Sequence, residues 1–327
     1  MNTVQKITPY AVELKESLML SVVIPVYRSE ESLRELHQRL VATLTGLDMS
    51  FEILFVDDCG GDGSWSVIQS IAAEDVRVRG FRMSRNYGQH NALLAGIRAA
   101  HGDLIATLDD DLQHPPEELP KLLAKLAEGF DVVYGPPETE QHGLFRDMAS
   151  QITKMALQGA MGAETARHVS AFRVFHTELR GAFKEYKSPS VNLDVLLTWA
   201  TTRFAALHVR HESRKYGVSA YNTRMLLRHA MNMMTGFSTM PLKLASVIGF
   251  VFALFGVLVL AYVVLRYLIW GGVVPGFTFL ASVVALFSGA QLLALGIMGE
   301  YLARMHQRTM ERPVYLLRET TKARQEI

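Results

Sequence analysis

Two long apolar runs set close together constrain this chain more than any other feature. Leu244 to Trp270 is apolar apart from Ser246 and Arg266, and Phe277 to Gly299 is apolar apart from Thr278, Ser282, Ser288 and Gln291. Each is long enough to cross a hydrocarbon core of about 30 Å as a single helix. The alternative, buried helices of a large soluble core, must hide two such runs in succession. The link Gly271-Gly-Val-Val-Pro-Gly276 carries no charge. Arg210, Arg214, Lys215, Arg224, Arg228 and Lys243 precede the first run, and Arg304, Arg308 and Arg312 follow the second. The positive-inside rule then puts both ends of the hairpin in the cytoplasm. We therefore expect an integral protein of the inner (cytoplasmic) membrane whose N-terminal domain and both termini are cytoplasmic. Arg266 lies near a helix end and can snorkel to the interface, while Gly289, Gly296 and Gly299 offer close helix approach, within the hairpin or between copies.

Upstream of the hairpin, Arg224, Arg228 and His229 interleave with Met225, Leu226, Leu227, Met231, Met233 and Met234. This suits a helix lying at the bilayer surface, cations toward anionic headgroups and Met and Leu toward acyl chains. A Met-rich stripe is also ordinary core packing, and its place beside the hairpin favours the first reading. The expected division is a domain over 1–220, an interfacial region over 221–243, membrane helices over 244–270 and 277–299, and a cytoplasmic tail over 300–327. The formal net charge of +1 gives no global case for nucleic acid, so any anion site has to be local. A single cysteine, Cys59, excludes an internal disulfide framework and fits a reducing compartment. Met1 to Leu18 has no apolar core of signal-peptide length.

The first 130 residues or so read as repeated strand, loop and helix. Leu20 to Val26, Phe51 to Val56, Val76 to Met83 and Asp103 to Leu108 are short runs rich in apolar residues, each followed by polar residues and then a helical pattern. Such units build a doubly wound, mostly parallel α/β sheet. Open sheets of this kind bind ligands at the carboxyl ends of their strands, so Tyr27, Glu30, Asp57, Asp58, Arg85 and the acidic run at 109–111 are expected to converge on one crevice. Gly60-Gly-Asp-Gly63 matches neither a P-loop nor a dinucleotide fingerprint and reads as a tight turn.

Asp109-Asp-Asp-Leu-Gln113 follows the fourth strand directly. Carboxylates are hard ligands for Mg²⁺ or Mn²⁺, and a cation held by one or two of them keeps positions open for substrate phosphates. If the chain stays extended through Gln113, then Asp109, Asp111 and Gln113 share a face and Asp110 points the other way. A solvated, capped helix start before Pro115-Pro-Glu-Glu118 is the competing reading.

Ser21-Val-Val-Ile-Pro-Val-Tyr27, Val56-Asp-Asp58, Arg85-Asn-Tyr-Gly-Gln-His90 and Asp109-Asp-Asp-Leu-Gln-His-Pro-Pro-Glu-Glu118, in that order and followed by two spans, resemble the family 2 glycosyltransferases of GT-A fold that act on polyprenyl phosphates. The resemblance covers nearly the whole chain. It implies that Pro25, Tyr27, Glu30, Asp58 and Arg85 line a nucleotide site, with Asp57, Asp109 and Asp110 at the same strand ends. It also implies that Asp109, Asp111 and Gln113 hold Mg²⁺ or Mn²⁺ against the diphosphate of a nucleotide-sugar donor, UDP being favoured. A homo-oligomer, tetrameric by the resemblance, is a further implication. Two departures stand out: His168-Val-Ser-Ala-Phe-Arg173 lacks the family's usual acid, and Arg214-Lys-Tyr-Gly-Val-Ser-Ala-Tyr221 has Ala220 where relatives carry Lys.

A polyprenyl phosphate acceptor tolerates the first loss. A phosphate monoester has a second pKa near 6, so it attacks as a dianion without a base. Asp111, Arg173 and Arg214 are then the expected catalytic side chains, and Arg173, Arg214, Lys215 and His168 the candidates for gripping acceptor phosphate, guanidinium being suited to paired donation. Direct attack inverts the anomeric centre. The alternatives are transfer to a lipid or glycan hydroxyl, and a catalytically weakened membrane protein that only binds nucleotide sugar.

Overall fold

The computed structural model describes residues 18–47, 49–138, 168–188, 191–213, 215, 239–270 and 276–321. Arg214 and nearly all of the basic, Met-rich stretch expected at the membrane surface lie outside these residues.

Four parallel strands, β1 (Met19–Val26), β2 (Ser50–Asp57), β3 (Val78–Met83) and β4 (Leu104–Thr107), form the centre of the sheet in the order β4-β1-β2-β3. Their crossovers carry α1 (Leu33–Thr45), α2 (Ser64–Glu74) and α3 (Gln89–Ala99). Both faces of the sheet are covered, which is why β1 reads as an unbroken apolar run rather than an alternating one. Val22, Ile24 and Val26 pack with Leu33, Leu36, Leu40 and Leu44, the three- and four-residue stripe of α1. Val23, facing the other way, packs with Leu93, Leu94 and Ile97 of α3. After α4 (Leu119–Ala127), the short strands β5 (Val132–Tyr134) and β6 (Arg173–His176) extend the β4 edge, β6 antiparallel to both neighbours. Helix α5 (Leu193–Ala200) and strand β7 (Phe204–Ala206) complete that side, β7 running parallel to β5. The expected mostly parallel α/β sheet is present, with antiparallel strands confined to its flanks.

Pro25 sits in a central strand without harm to the ladder. The Val26 carbonyl turns to the β2 side, where it accepts from Asp58 N, so Pro25 turns toward β4, whose pairing with β1 already ends at Val23. At the amino ends of the strands the sheet is closed by Glu52, 4% exposed, which accepts from Ser21 Oγ at 2.7 Å, His101 N at 2.7 Å and Arg79 Nη1 at 3.0 Å. Burial pushes this carboxyl up, but the hydrogen bonds from His101, Ser21 and Arg79 outweigh it and hold the group below its ordinary value. The carboxyl ends of the strands have no such plug.

Helices α6 (Met240–Trp270) and α7 (Phe277–Thr309) are long and apolar enough to cross a membrane, and many of their large apolar side chains are exposed. They meet through Phe252 and Phe255 against Phe287, whose ring also faces Gly256. The glycines singled out in the sequence behave differently: a Cβ at Gly289, Gly296 or Gly299 would meet nothing within 4 Å. Helix α7 continues past Gly299 for three more turns, helped by the Glu300–Arg304 pair at 2.8 Å. The chain then returns to the sheet. Strand β8 (Leu317–Thr320) pairs antiparallel with β3, Trp65 Nε1 donates to Glu319 at 3.0 Å, Gly80 N donates to Thr321 Oγ1 at 2.8 Å, and Asn91 Nδ2 donates to the Val314 carbonyl at 2.7 Å.

Close seating of α3 on β1 depends on Gly96, where an added Cβ would lie 2.4 Å from Val23 Cγ1. Alanine gains about 1 kcal/mol of helix propensity, but overpacking a buried, branched neighbour costs about 1–3 kcal/mol. We expect Gly96→Ala to lower stability on balance, read as a reduced thermal unfolding midpoint of the detergent-solubilised protein.

Candidate active site

Four loops leave the carboxyl ends of β1 to β4, and hydrogen bonds lace them together. Asp110 accepts from Tyr27 N at 3.0 Å, and its carbonyl accepts from Ser32 Oγ at 2.6 Å, tying the acidic loop to the loop after β1. Gln89 Nε2 at the start of α3 donates to Asp109 at 2.6 Å. Glu30 accepts from Gly63 N at 3.0 Å, while Glu30 N donates to Asp62 at 3.3 Å, and Arg28 Nε donates to the Gly60 carbonyl at 3.0 Å. The glycine turn is therefore a partner of the loop after β1. A cavity of about 320 Å³ opens here, lined in part by Arg28, Glu30, Asp62 and Asp111.

The acidic loop is not an extension of the strand. Strand β4 stops at Thr107, and Leu112 turns the chain at φ 61° with its side chain 2% exposed in the core. Burying that leucine accounts for a left-handed conformation otherwise costly to a branched residue. The two-residue alternation expected through Gln113 accordingly fails. Asp111 lines the cavity and accepts from Gln113 N at 3.1 Å, and the Gln113 carbonyl accepts from Glu212 N at 2.9 Å. Asp110, half-buried by area but enclosed by the loop after β1, has its carboxyl pushed up to about 6, with burial the main cause. Among the described residues, no three His, Cys, Asp or Glu side chains are placed together as a metal cluster. The residue types nevertheless suit Mg²⁺ or Mn²⁺: Asp111 offers an oxygen ligand at an open cavity and Asp109 a second carboxylate on the same loop, which is enough for a cation that takes its remaining ligands from phosphate and water.

Other expected residues occupy different roles. Asp57, 2% exposed, pairs with Arg82 at 3.3 Å. Asp58, 3% exposed, accepts from Tyr87 N at 2.7 Å and Gly88 N at 2.8 Å. Burial pushes both carboxyls up. Both brace the strand-end loops, and neither is among the residues that line the cavity. Tyr27 and Arg85 are exposed at the same end, Arg85 over the Tyr87 ring at 4.5 Å. Lys215 pairs with Glu35 on α1 at 2.7 Å.

Arg173 is among the deepest of the expected residues. Only 2% exposed, it forms an ion pair with Asp194 on α5, and Tyr134 donates to the same carboxylate at 3.2 Å. Burial raises the Tyr134 phenol well above its ordinary value. The guanidinium thus has its charge matched by a carboxylate inside the domain. The preceding residue pair still places the missing acid: Thr107 Oγ1 donates to the Ala171 carbonyl at 2.8 Å, so position 171 lies beside the end of β4. His168 stands edge-on to His208, ring centres 6.1 Å apart. Sequence reasoning missed Asp194 and also His114, which packs against Phe172 and His211. The only signal for Asp194 is its place in the first turn of a helix capped by Asn192, whose side chain accepts from Val195 N.

An open α/β sheet with an acidic loop at its strand ends, joined to two helices of membrane length, defines a membrane-associated enzyme of the GT-A class. Residues 21–186 match the family model described as glycosyl transferase family 2. The chain is 35% identical over 303 residues to undecaprenyl-phosphate 4-deoxy-4-formamido-L-arabinose transferase of Proteus mirabilis, covering 92% of this chain and 93% of that one. The corresponding protein of Pseudomonas aeruginosa (strain LESB58) is 35% identical over 318 residues, covering 96% and 92%. Glucosyl-3-phosphoglycerate synthase from Mycobacterium tuberculosis, solved with Mn²⁺, UDP and glucosyl-3-phosphoglycerate, superposes with a TM-score of 0.51 at 16% identity over 67% of this chain and 78% of that one, a likeness of fold. This chain belongs to glycosyl transferase family 2, and it is a glycosyltransferase.

Two stability tests follow from the buried charges. Asp194→Ala leaves Arg173 unpaired in the interior and should cost about 3–5 kcal/mol, whereas Arg173→Met with Asp194→Leu should recover most of that in a thermal unfolding series. His114, pushed down to about 4 mainly by burial and further by His211, binds its proton more weakly folded than unfolded. Its contribution is present at neutral pH and is lost as pH falls from about 6.5 to about 4, worth about 3 kcal/mol in full. His114→Phe should flatten that part of the profile of unfolding midpoint against pH.

Proposed function

We propose that this protein transfers a sugar from a nucleotide-diphosphate donor to the phosphate of a polyprenyl lipid, with undecaprenyl phosphate the first acceptor to test. The observation that carries the reading is the acidic loop, with Asp111 facing an open cavity at the strand ends of a domain that continues into an apolar helical hairpin. Sequence likeness to undecaprenyl-phosphate transferases over more than nine-tenths of the chain supports it.

Tyr27, Glu30 and Arg85 are exposed at the carboxyl ends of the strands, Glu30 lining the cavity, and are the side chains we assign to the nucleotide. Asp109 and Asp111 would hold Mg²⁺ or Mn²⁺, which when bound neutralises charge building on the departing diphosphate. The chain's remaining task is to position. Gln89 fixes Asp109, and Tyr27 and Ser32 fix the loop that carries Asp111, so the carboxylates need no reorganisation as the donor enters. The acceptor keeps its tail in the bilayer and offers its phosphate, which attacks the anomeric carbon from the side opposite the leaving diphosphate and inverts it. No side chain has to remove a proton first, which accommodates Ala171 where relatives carry an acid. The basic residues flanking the hairpin favour a cytoplasmic placement of this crevice at the inner membrane.

Incubation of the purified protein with labelled nucleotide sugars and undecaprenyl phosphate, with and without Mg²⁺ or Mn²⁺, tests the reading. Labelled lipid phosphate formed only with metal is the expected outcome. Product found only with hydroxyl acceptors, or donor binding without product, would sink it. Asp111→Ala should abolish turnover with an unchanged unfolding midpoint, a loss of about 10³-fold or more if electrostatic stabilisation is its role. Ala171→Asp should alter the rate only modestly, because the acceptor has no need of a base.

A further inference from the structure

A larger cavity lies away from the crevice, where the chain re-enters the domain after α7. It has a volume of about 770 Å³, and five cations border it: Arg98, Arg180, Lys184, Lys187 and Arg312. Only Glu185 and Glu311 oppose them. Two of the arginines shape the wall. Arg180 Nη1 donates to the Ile97 and Ala100 carbonyls at 3.0 and 2.9 Å, capping the end of α3. Arg98 donates to the Tyr186 carbonyl at 2.7 Å and lies over the Tyr315 ring at 5.7 Å, while its Nε is buried without a hydrogen-bond partner among the described residues. The other three cations are exposed and form no ion pair among the described residues. Positive charge gathered in a concave site and left unneutralised favours an anion.

The surroundings identify the source of that anion. Glu311 and Arg312 follow almost directly on α7, which ends at Thr309. Beyond Gly299 this helix still exposes Leu302 and Met305, and Met310 follows it, so an apolar face persists to the edge of the cavity. On the other side Trp199 is 55% exposed and stands edge-on to Tyr186, a residue of the cavity wall, with ring centres 5.7 Å apart. An exposed indole, a late apolar helix face and clustered Lys and Arg are the combination found where protein meets lipid headgroups. We propose that this cavity is a binding site for the phosphate headgroup of an anionic phospholipid, separate from the acceptor site and holding the domain against the bilayer. Lys184, Lys187 and Arg312 meet the phosphate, and Trp199 enters the interface beside it. The proposal rests on the membrane placement given above but not on sugar transfer.

The test uses the full-length protein in neutral detergent, titrated with phosphatidylglycerol or phosphatidylcholine, with bound lipid counted by native mass spectrometry. The comparison is Lys184→Gln/Lys187→Gln/Arg312→Gln, three exposed positions outside the catalytic machinery. The wild type should retain phosphatidylglycerol at about tenfold lower concentration than phosphatidylcholine, a preference of the size a few cations supply. The triple variant should bind the two lipids alike with an unchanged unfolding midpoint. Equal retention by the wild type, or an undiminished preference in the variant, overturns the proposal. So does loss of the preference when millimolar inorganic phosphate competes, since that marks a site for soluble anions. The titration contains no nucleotide sugar, so its outcome bears only on this site, whereas the separate transfer assay bears only on the enzymatic reading.

Discussion

The structure turns on how the loop after β4 is fastened. A single buried leucine, Leu112, anchors it from below in a left-handed turn, and Tyr27, Ser32 and Gln89 hold it from the neighbouring loops. Without those bonds three consecutive aspartates would repel one another and splay into solvent. With them, Asp110 becomes part of the frame and its neighbours are presented on either side of it. The acidic residue of least direct chemical use is thus the one that positions the other two, and each loop of the crevice depends on a loop from another part of the chain.

The central sheet was legible because its signal is local. Apolar runs of strand length, polar residues at their ends and helical stripes between them specify a parallel order regardless of what lies further along. The flanks were not legible. Leu317-Arg-Glu-Thr320 is short, polar at three of its four positions and far from β3 in sequence, so only the exposed edge of β3 gives it a reason to be a strand. The helical hairpin, by contrast, announced itself by length and composition alone, though its ends did not, since the Glu300–Arg304 pair carries α7 on past the last apolar glycine.

At the candidate site the sequence located the crevice better than it assigned the side chains. Tyr27, Glu30 and Asp111 reach the open end, as strand-end residues of such a sheet should. Asp57, Asp58 and Arg173 each have a partner within the domain that a one-dimensional pattern does not reveal. For Arg173 the partner is Asp194, contributed by a helix that begins well downstream. Only the third dimension distinguishes a guanidinium aimed at substrate from one spent on a carboxylate in the interior.

Strand β8 has a consequence for how the protein is made. It follows both long apolar helices in the chain, yet completes a sheet whose other strands all precede them. During synthesis the hairpin emerges from the ribosome while the β3 edge still lacks its neighbour, leaving backbone donors and acceptors open to unwanted pairing. The β3 edge can therefore be closed by its own strand only after both apolar helices have been synthesised.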